Sequence, residues 1–259
     1  MPSFLHTFVA TLAIGAVNAL PQPQVASTLS SSPPSPTPID NTALIASLKT
    51  DPTIISRYRR LLTTNGGQQL LPEAELAKAT VFDLEESMYP IPGAQGGKTF
   101  TTSPENLPIL LDTSLSVSLT TIGPCGILLP HVHPRAHEFF TVIDGTVSFG
   151  YTLEIGLLKS PTAPNPEIRG TLKKYAGTLF PHGSVHYQIN TSEKCERATV
   201  LIALSSDDPG TTTVLQSPKA LVNGTASMAD PFGFEAVRGL VTPEVAAIVD
   251  KCLTRCGRA

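Results

Sequence analysis

The chain has 259 residues, 41% of them apolar and only 15% charged. That is enough for one well-filled core with appendages, and too apolar for a chain that stays disordered throughout. A net charge of -3 at pH 7 provides no basic field, so neither nucleic acid nor an anionic membrane surface is an expected partner.

Residues 1–19, MPSFLHTFVATLAIGAVNA, hold an apolar run too short to span a bilayer and end in Val17-Asn18-Ala19, small residues of the kind a signal peptidase cuts after. A secretory leader is expected, hence a secreted protein, extracellular or cell-wall associated, with no membrane span. Residues 20–38 are rich in Pro and Ser and too poor in apolar surface to offset the entropy of ordering. They read as a disordered tail, either a plain linker or an O-glycosylated one.

Residues 39–79 form a helical extension in this reading. One helix is expected from Asp40 to Lys49 and a second from Pro52 to Thr63, with Asp51 as N-cap and Pro52 in the first helical position. Arg57, Arg59 and Arg60 read as a solvated helix face or as a dibasic processing site. A domain of short strands occupies 80–235. The alternating segments are Leu115–Ile122, Cys125–His133, Glu138–Ile143, Thr146–Leu153, Thr171–Lys174, Thr178–Phe180, Val185–Ile189 and Ala198–Leu204. Short strands separated by Gly, Pro and Asn turns predict an all-β barrel or sandwich. Residues 236–259 hold a last helix, with Thr242 as N-cap ahead of Pro243 and Gly257 as its stop.

The chemistry concentrates in GILLPHVHPRAHEFFTVIDG, residues 126–145, and PHGSVHYQIN, residues 181–190. Alternate side chains on a strand share a face, so His131 and His133 point the same way. Glu138 stands an odd number of residues later. Pro134, Arg135 and Ala136 are expected to break the strand and reset its phase, after which Glu138, Phe140 and Val142 point inward and an Asp144-Gly145 turn follows. His186 arrives on a separate strand after the Pro181-His182-Gly183 turn. A buried carboxylate among three imidazoles calls for a cation, so His131, His133, Glu138 and His186 are the expected metal ligands. Phe140, Val142, Phe149 and Phe180 are expected as apolar wall, and Gln188 as a hydrogen bonder behind the ligands. His6, His137 and His182 read as ordinary surface or leader histidines.

The residues resemble the cupins, specifically the secreted single-domain germin-like and spherulin-like proteins. That family's first motif runs Gly, five residues, His-x-His, three or four residues, Glu, six residues, Gly, which His131, His133, Glu138 and Gly145 fit. Its second runs Gly, five residues, Pro-x-Gly, two residues, His, three residues, Asn, which Pro181, Gly183, His186 and Asn190 fit. Gly126 stands four residues before His131 instead of five, and Tyr175 occupies the opening glycine position of the second motif. The resemblance implies a cupin β-barrel of jelly-roll type with helical extensions, a manganese ion, and a C-terminal helix of the sort with which germin-type chains embrace a neighbour, hence a homo-oligomer.

Four cysteines in a secreted chain are expected to be oxidised. Of the three formal pairings, Cys125–Cys195 would tie the two motif strands together and leave Cys252–Cys256. Asn223-Gly224-Thr225 is an N-glycosylation acceptor by pattern, whereas Asn190-Thr191-Ser192 fits the rule but is expected to be buried.

Three imidazoles and a carboxylate leave a divalent ion with about two open positions of an octahedral shell for a small anion or an oxygen-derived ligand. The ligand set permits manganese, iron or zinc. The resemblance implies either a metal-dependent oxidoreductase of superoxide dismutase or oxalate oxidase type or a non-catalytic stress, encystment or storage protein with a structural metal; ranked last is a zinc hydro-lyase, which also uses His-x-His on a strand but for which Glu138 would be surplus. Arg135 and His137 near the mouth could steer an anion.

Overall fold

The computed structural model describes residues 40–90, 97–159, 165–214 and 238–257. The leader with His6, the whole of the tail and the acceptor Asn223 lie outside the described residues.

The N-terminal extension contains α1 (Thr42–Lys49) and α2 (Ile54–Leu62), then a two-stranded hairpin of β1 (Thr63–Thr64) and β2 (Gln69–Leu70), then α3 (Glu73–Thr80) and α4 (Leu84–Ser87). The second helix starts later than its sequence implied. Thr53, not Asp51, is the N-cap: its hydroxyl accepts from the Ser56 N–H and the Ser56 hydroxyl accepts from the Thr53 N–H, a reciprocal capping box. Asp51 instead takes a fork of hydrogen bonds from Arg60. Arg57 pairs with Asp112 at 2.5 Å, which ties the extension to the strand domain.

The remaining strands are β3 (Tyr89–Pro90), β4 (Lys98–Thr101), β5 (Ser116–Ile122), β6 (Ile127–Val132), β7 (Glu138–Asp144), β8 (Thr146–Thr152), β9 (Ile168–Lys173), β10 (Gly177–Phe180), β11 (Val185–Asn190), β12 (Ala198–Leu204) and β13 (Thr212–Thr213). They form two antiparallel sheets. One has the order β10-β7-β12-β5-β4-β3, the other β13-β6-β11-β8-β9. The predicted all-β architecture with helices near the ends is what the molecule has. The turn from β7 into β8 is made by Gly145 at φ 94, where a Cβ would come within 3.0 Å of the Ala198 Cα and Cβ, so the backbone of β12 reserves the position for glycine.

Between the sheets lies the main core. Leu128, Phe140, Val142, Phe149, Phe180, Val200 and Ile202 meet there, each buried, and all four expected wall residues are among them. A second core lies on the outer face of the smaller sheet. There the last helix, α5 (Pro243–Arg255), sets Val245, Ala246, Val249, Cys252 and Leu253 against Ile127 and Leu129 of β6 and Tyr187 and Ile189 of β11. Spacing of i, i+1, i+4, i+7 and i+8 is one helical face, and Thr242 caps its start as expected.

The expected cysteine pairing is overturned. The bridges are Cys125–Cys252 and Cys195–Cys256, with Cα separations of 5.5 and 5.7 Å. Residues four apart on a helix carry Cβ atoms about 5–6 Å apart, too far for a disulfide, which wants about 3.8 Å. Cys252 and Cys256 instead share one helix face, and that face lies against the strand ends that carry Cys125 and Cys195. Both bridges therefore staple α5 to the sheet.

Candidate metal centre

Strands β6, β7 and β11 deliver the quartet. His131 on β6 and His133, one residue past its end, are both buried and Val132 between them is not, as period-two alternation requires. The chain then leaves the sheet through Pro134–His137 and re-enters with Glu138 as the first residue of β7, so the loop resets the phase in the way the sequence implied. From there Glu138, Phe140 and Val142 are buried while Phe139, Thr141 and Ile143 are not.

One feature of β6 had no sequence signature. His131 pairs with His186 and Leu128 with Gln188, so two steps on β11 span three on β6, and the surplus falls at Leu129–Pro130. Leu129 faces α5 by plain alternation with Leu128, and the bulge then returns His131 to the inner face that Leu128 occupies. Pro130 is tolerated because a bulge has no ladder N–H to supply.

The donor atoms converge. One ligand atom from each of His131, His133, Glu138 and His186 lies within 4.8 Å of every other. Glu138 Oε2 lies 2.7 Å from His133 Nε2 and 3.1 Å from His186 Nε2. The rings of His131 and His186 have centroids 4.2 Å apart, and Phe180 stacks on His186 at 4.5 Å with planes 9° apart, forming an apolar floor.

The far side of each ring decides its tautomer. His131 Nδ1 is 2.7 Å from the Leu129 carbonyl, His133 Nδ1 2.6 Å from the Gly210 carbonyl, and His186 Nδ1 2.8 Å from the Ser184 carbonyl. A carbonyl only accepts, so every Nδ1 carries the proton and donates it, and every Nε2 is left with its lone pair facing the others. Glu138 Oε1 is buried and has no hydrogen-bond partner among the described residues. The centre is thus an array of acceptors pointed at one another, an arrangement that repels itself unless a proton or a cation stands among them. Nδ1–H bonded to a carbonyl with Nε2 free is also the orientation that metal-binding histidines adopt. The residues fit a divalent ion.

Proton affinities report the same tension. Burial alone would raise the Glu138 carboxyl, but in the metal-free centre the hydrogen bonds that the His133 and His186 rings donate once a proton stands on Nε2, together with the imidazole charge, outweigh it and bring it to about 2. Burial, and then repulsion from His186, lowers His131 to about 4. For His133 burial is the largest influence and is outweighed by Glu138, so its affinity for a proton is raised.

At the mouth, Arg135 is not free to steer an anion. Its Nη2 and Nε reach Asp208 Oδ1 and the Asp208 carbonyl, both at 2.7 Å. His137 is exposed and faces away from Glu138; its Nδ1 accepts from the His182 N–H at 3.0 Å, and His182 Nε2 lies 2.6 Å from the Pro134 carbonyl. Gln188 is fully buried on the inner face, and neither of its amide atoms has a hydrogen-bond partner among the described residues. Asn190 closes the strand: its Nδ2 lies 2.9, 3.0 and 2.8 Å from the carbonyls of Ile122, Gly123 and Glu196, and it is fully buried, as the sequence implied.

The groups that sequence reasoning missed are the carbonyls of Leu129, Ser184 and Gly210 and the short strand β13, which pairs Thr213 with His131 and brings Gly210 over His133. A backbone acceptor leaves no residue signature.

A family model described as Cupin matches residues 90–236. Spherulin-1A of Physarum polycephalum is 30% identical over 181 residues, covering 68% of this chain and 70% of its own length. Germin-like protein subfamily 1 member 1 of Arabidopsis thaliana is 28% identical over 211 residues, covering 76% and 93%. Among solved structures, one titled for the mechanism of oxalate oxidase superposes with a TM-score of 0.48 at 20% identity, over 76% of this chain and 90% of that one.

Proposed function

The chain belongs to the cupin family, and from that premise we propose that it is a secreted, manganese-binding oxidoreductase of germin type, acting on superoxide or on a small carboxylate such as oxalate. The observation that supports this best is the self-repelling acceptor array, with Glu138 Oε1 unpartnered. His131, His133, Glu138 and His186 would hold the ion. Once bound, a redox-active divalent ion supplies the one-electron chemistry and about two open positions for an anionic or oxygen-derived ligand.

The chain's own part is orientation and exclusion. Carbonyls behind each ring fix three lone pairs on one point, the Glu138 charge brings the centre near +1 with a divalent ion, and Phe180 keeps water from one side of His186. Manganese is favoured by kinship; the nitrogen and oxygen donors also accept iron or zinc. A homo-oligomer is part of the proposal. Phe139 and Leu179, paired across β7 and β10, are about half exposed on the outer face of the larger sheet, where a second copy could cover them.

Deep burial of the quartet, with no ring more than 8% exposed, favours a second reading in which the metal is structural and the protein is a non-catalytic stress or encystment protein of spherulin type. Elemental analysis of the protein secreted by its host, with superoxide dismutase and oxalate oxidase assays on the same preparation, separates the two. One manganese per chain with turnover supports the enzyme; a metal-loaded but inert protein supports the structural reading; a quartet that holds no ion refutes both.

A further inference from the structure

Beyond the metal centre, the densest group of reactive side chains is the set of four sulfurs beneath the end of α5. The Cys125–Cys252 bridge is sealed, with its residues 1% and 2% exposed, whereas Cys195 and Cys256 are both partly exposed. The two bridges touch. Cys256 Sγ is 3.6 Å from Cys125 Sγ, a non-bonded contact between oxidised sulfurs, and the sulfurs of Cys125, Cys252 and Cys256 all lie within 4.8 Å of one another. Arg255 places Nη2 3.5 Å from Cys252 Sγ while holding the Thr191 and Ser192 carbonyls at 3.1 Å.

We propose that these bridges form a disulfide relay: the outer one is opened by an external dithiol, and Cys256 then passes the opening inward by exchange onto Cys125. In the first step the dithiol reduces Cys195–Cys256, becoming a disulfide itself and leaving two thiols. In the second, Cys256 loses its proton and its thiolate attacks Cys125 Sγ. The Cys125–Cys252 bond breaks, a Cys125–Cys256 bond forms, and Cys252 leaves as a thiolate that takes up the proton, with no net transfer of electrons. The helix C-terminus disfavours a thiolate in the last turn. The Arg255 guanidinium opposes that at Cys252, and a stabilised leaving thiolate speeds exchange.

The consequence is a graded clasp. Reduction of one bridge leaves α5 tethered through Cys125, one helical turn further along, and full release requires a second reductive event. The relay does not depend on the metal reading, since no sulfur belongs to the quartet.

The test is quenched alkylation of the full-length oxidised protein titrated with dithiothreitol, followed by peptide mass mapping. The expected first intermediate carries label on Cys195 and Cys252 with Cys125 joined to Cys256. Label confined to Cys195 and Cys256 with Cys125–Cys252 intact would overturn the relay, and so would simultaneous opening of both bridges. C195S should carry the Cys125–Cys256 bridge as purified, without reductant; a free Cys256 beside an intact inner bridge would overturn the proposal. In C256S the inner bridge should reduce about tenfold more slowly than in the parent, because a buried bridge waits for local opening; an unchanged rate would overturn it.

Discussion

Exchanging Glu138 for glutamine keeps the shape of the side chain and removes the charge on which Oε2 gathers His133 and His186. In the metal-free protein the folded carboxyl lies at about 2 against a model-peptide value of 4.5. Through proton linkage that difference contributes on the order of 3 kcal/mol to stability at pH 7. The folded value is the lower one, so this contribution is present above pH 4.5 and is lost as the pH falls toward 2. E138Q should lose it throughout and show a shallower acid limb than the parent in that window, the remainder coming from other carboxyls held low, such as Asp51 and Asp250. Ion binding should suffer more. Groups behind a metal ligand already alter affinity by about 10–100-fold, so replacing the charged donor itself should exceed about 100-fold. Urea denaturation from pH 2 to 7 reads the first effect; calorimetric titration with manganese after chelator dialysis reads the second. An E138Q protein that binds one ion with affinity within about tenfold of the parent, under 1.4 kcal/mol, would remove Glu138 from the ligand set.

The metal-free protein should also weaken as the pH falls from 6.5 to 4, because folded His131 is held at about 4 and an unfolded chain takes up that proton first. The opposite contribution of His133, whose value is raised, is already complete below 6.5 and does not mask the slope; a urea midpoint that rises on acidification through this window would refute the assignment. N190A should cost about 2–3 kcal/mol by leaving the buried carbonyls of Ile122 and Gly123, and the partly buried one of Glu196, without their shared donor, and a loss below 1 kcal/mol, as about the size of one ordinary hydrogen bond, would show the strand end is closed by something else. L129A should cost about 3 kcal/mol through the cavity it leaves under α5 and should also weaken manganese binding, since the Leu129 carbonyl orients His131; unchanged manganese affinity in a destabilised L129A protein would separate the outer core from the site.

Period-two patterning made β5 to β12 and the four converging side chains legible, because a one-residue error would have put the quartet in solvent. The limits of that legibility are physical. The bulge at Leu129–Pro130 depends on a partner strand 58 residues away. Helices α3 and α4 bury no residue, so they carry no apolar stripe to announce them. The three carbonyls that aim the imidazoles belong to residues whose side chains do other things: Leu129 packs on α5, Ser184 caps its own turn through the Pro181 carbonyl, and Gly210 has none. Cysteine pairing failed for a related reason. Helical spacing rules out a Cys252–Cys256 bridge, but which of the two remaining pairings forms is decided by how the helix docks on the sheet.

The two departures from the cupin glycine pattern share one cause. With five residues intervening before His131 the opening glycine position falls on Cys125, at φ 62, and the opening position of the second motif is Tyr175, at φ 65. Each sits third in a turn closed by a backbone hydrogen bond, Gly126 N–H to the Gly123 carbonyl at 2.9 Å and Ala176 N–H to the Lys173 carbonyl at 2.9 Å. Pro124 stands second in the first turn. A type II turn needs positive φ at its third residue and favours glycine there, at about 1–2 kcal/mol for any other side chain. The backbone shape has been kept and the residue exchanged. At Tyr175 the ring lies 5.2 Å from the Lys174 ammonium, a modest return for an exposed pair. At Cys125 the return is covalent, because the left-handed turn directs its sulfur to α5, and Cys195, at φ 57, does the same from the other strand end. Strain at the two sheet-side cysteines is thus offset by the helix that braces β6 and β11 from outside, the same strands whose inner faces carry His131 and His186 and whose end presents His133.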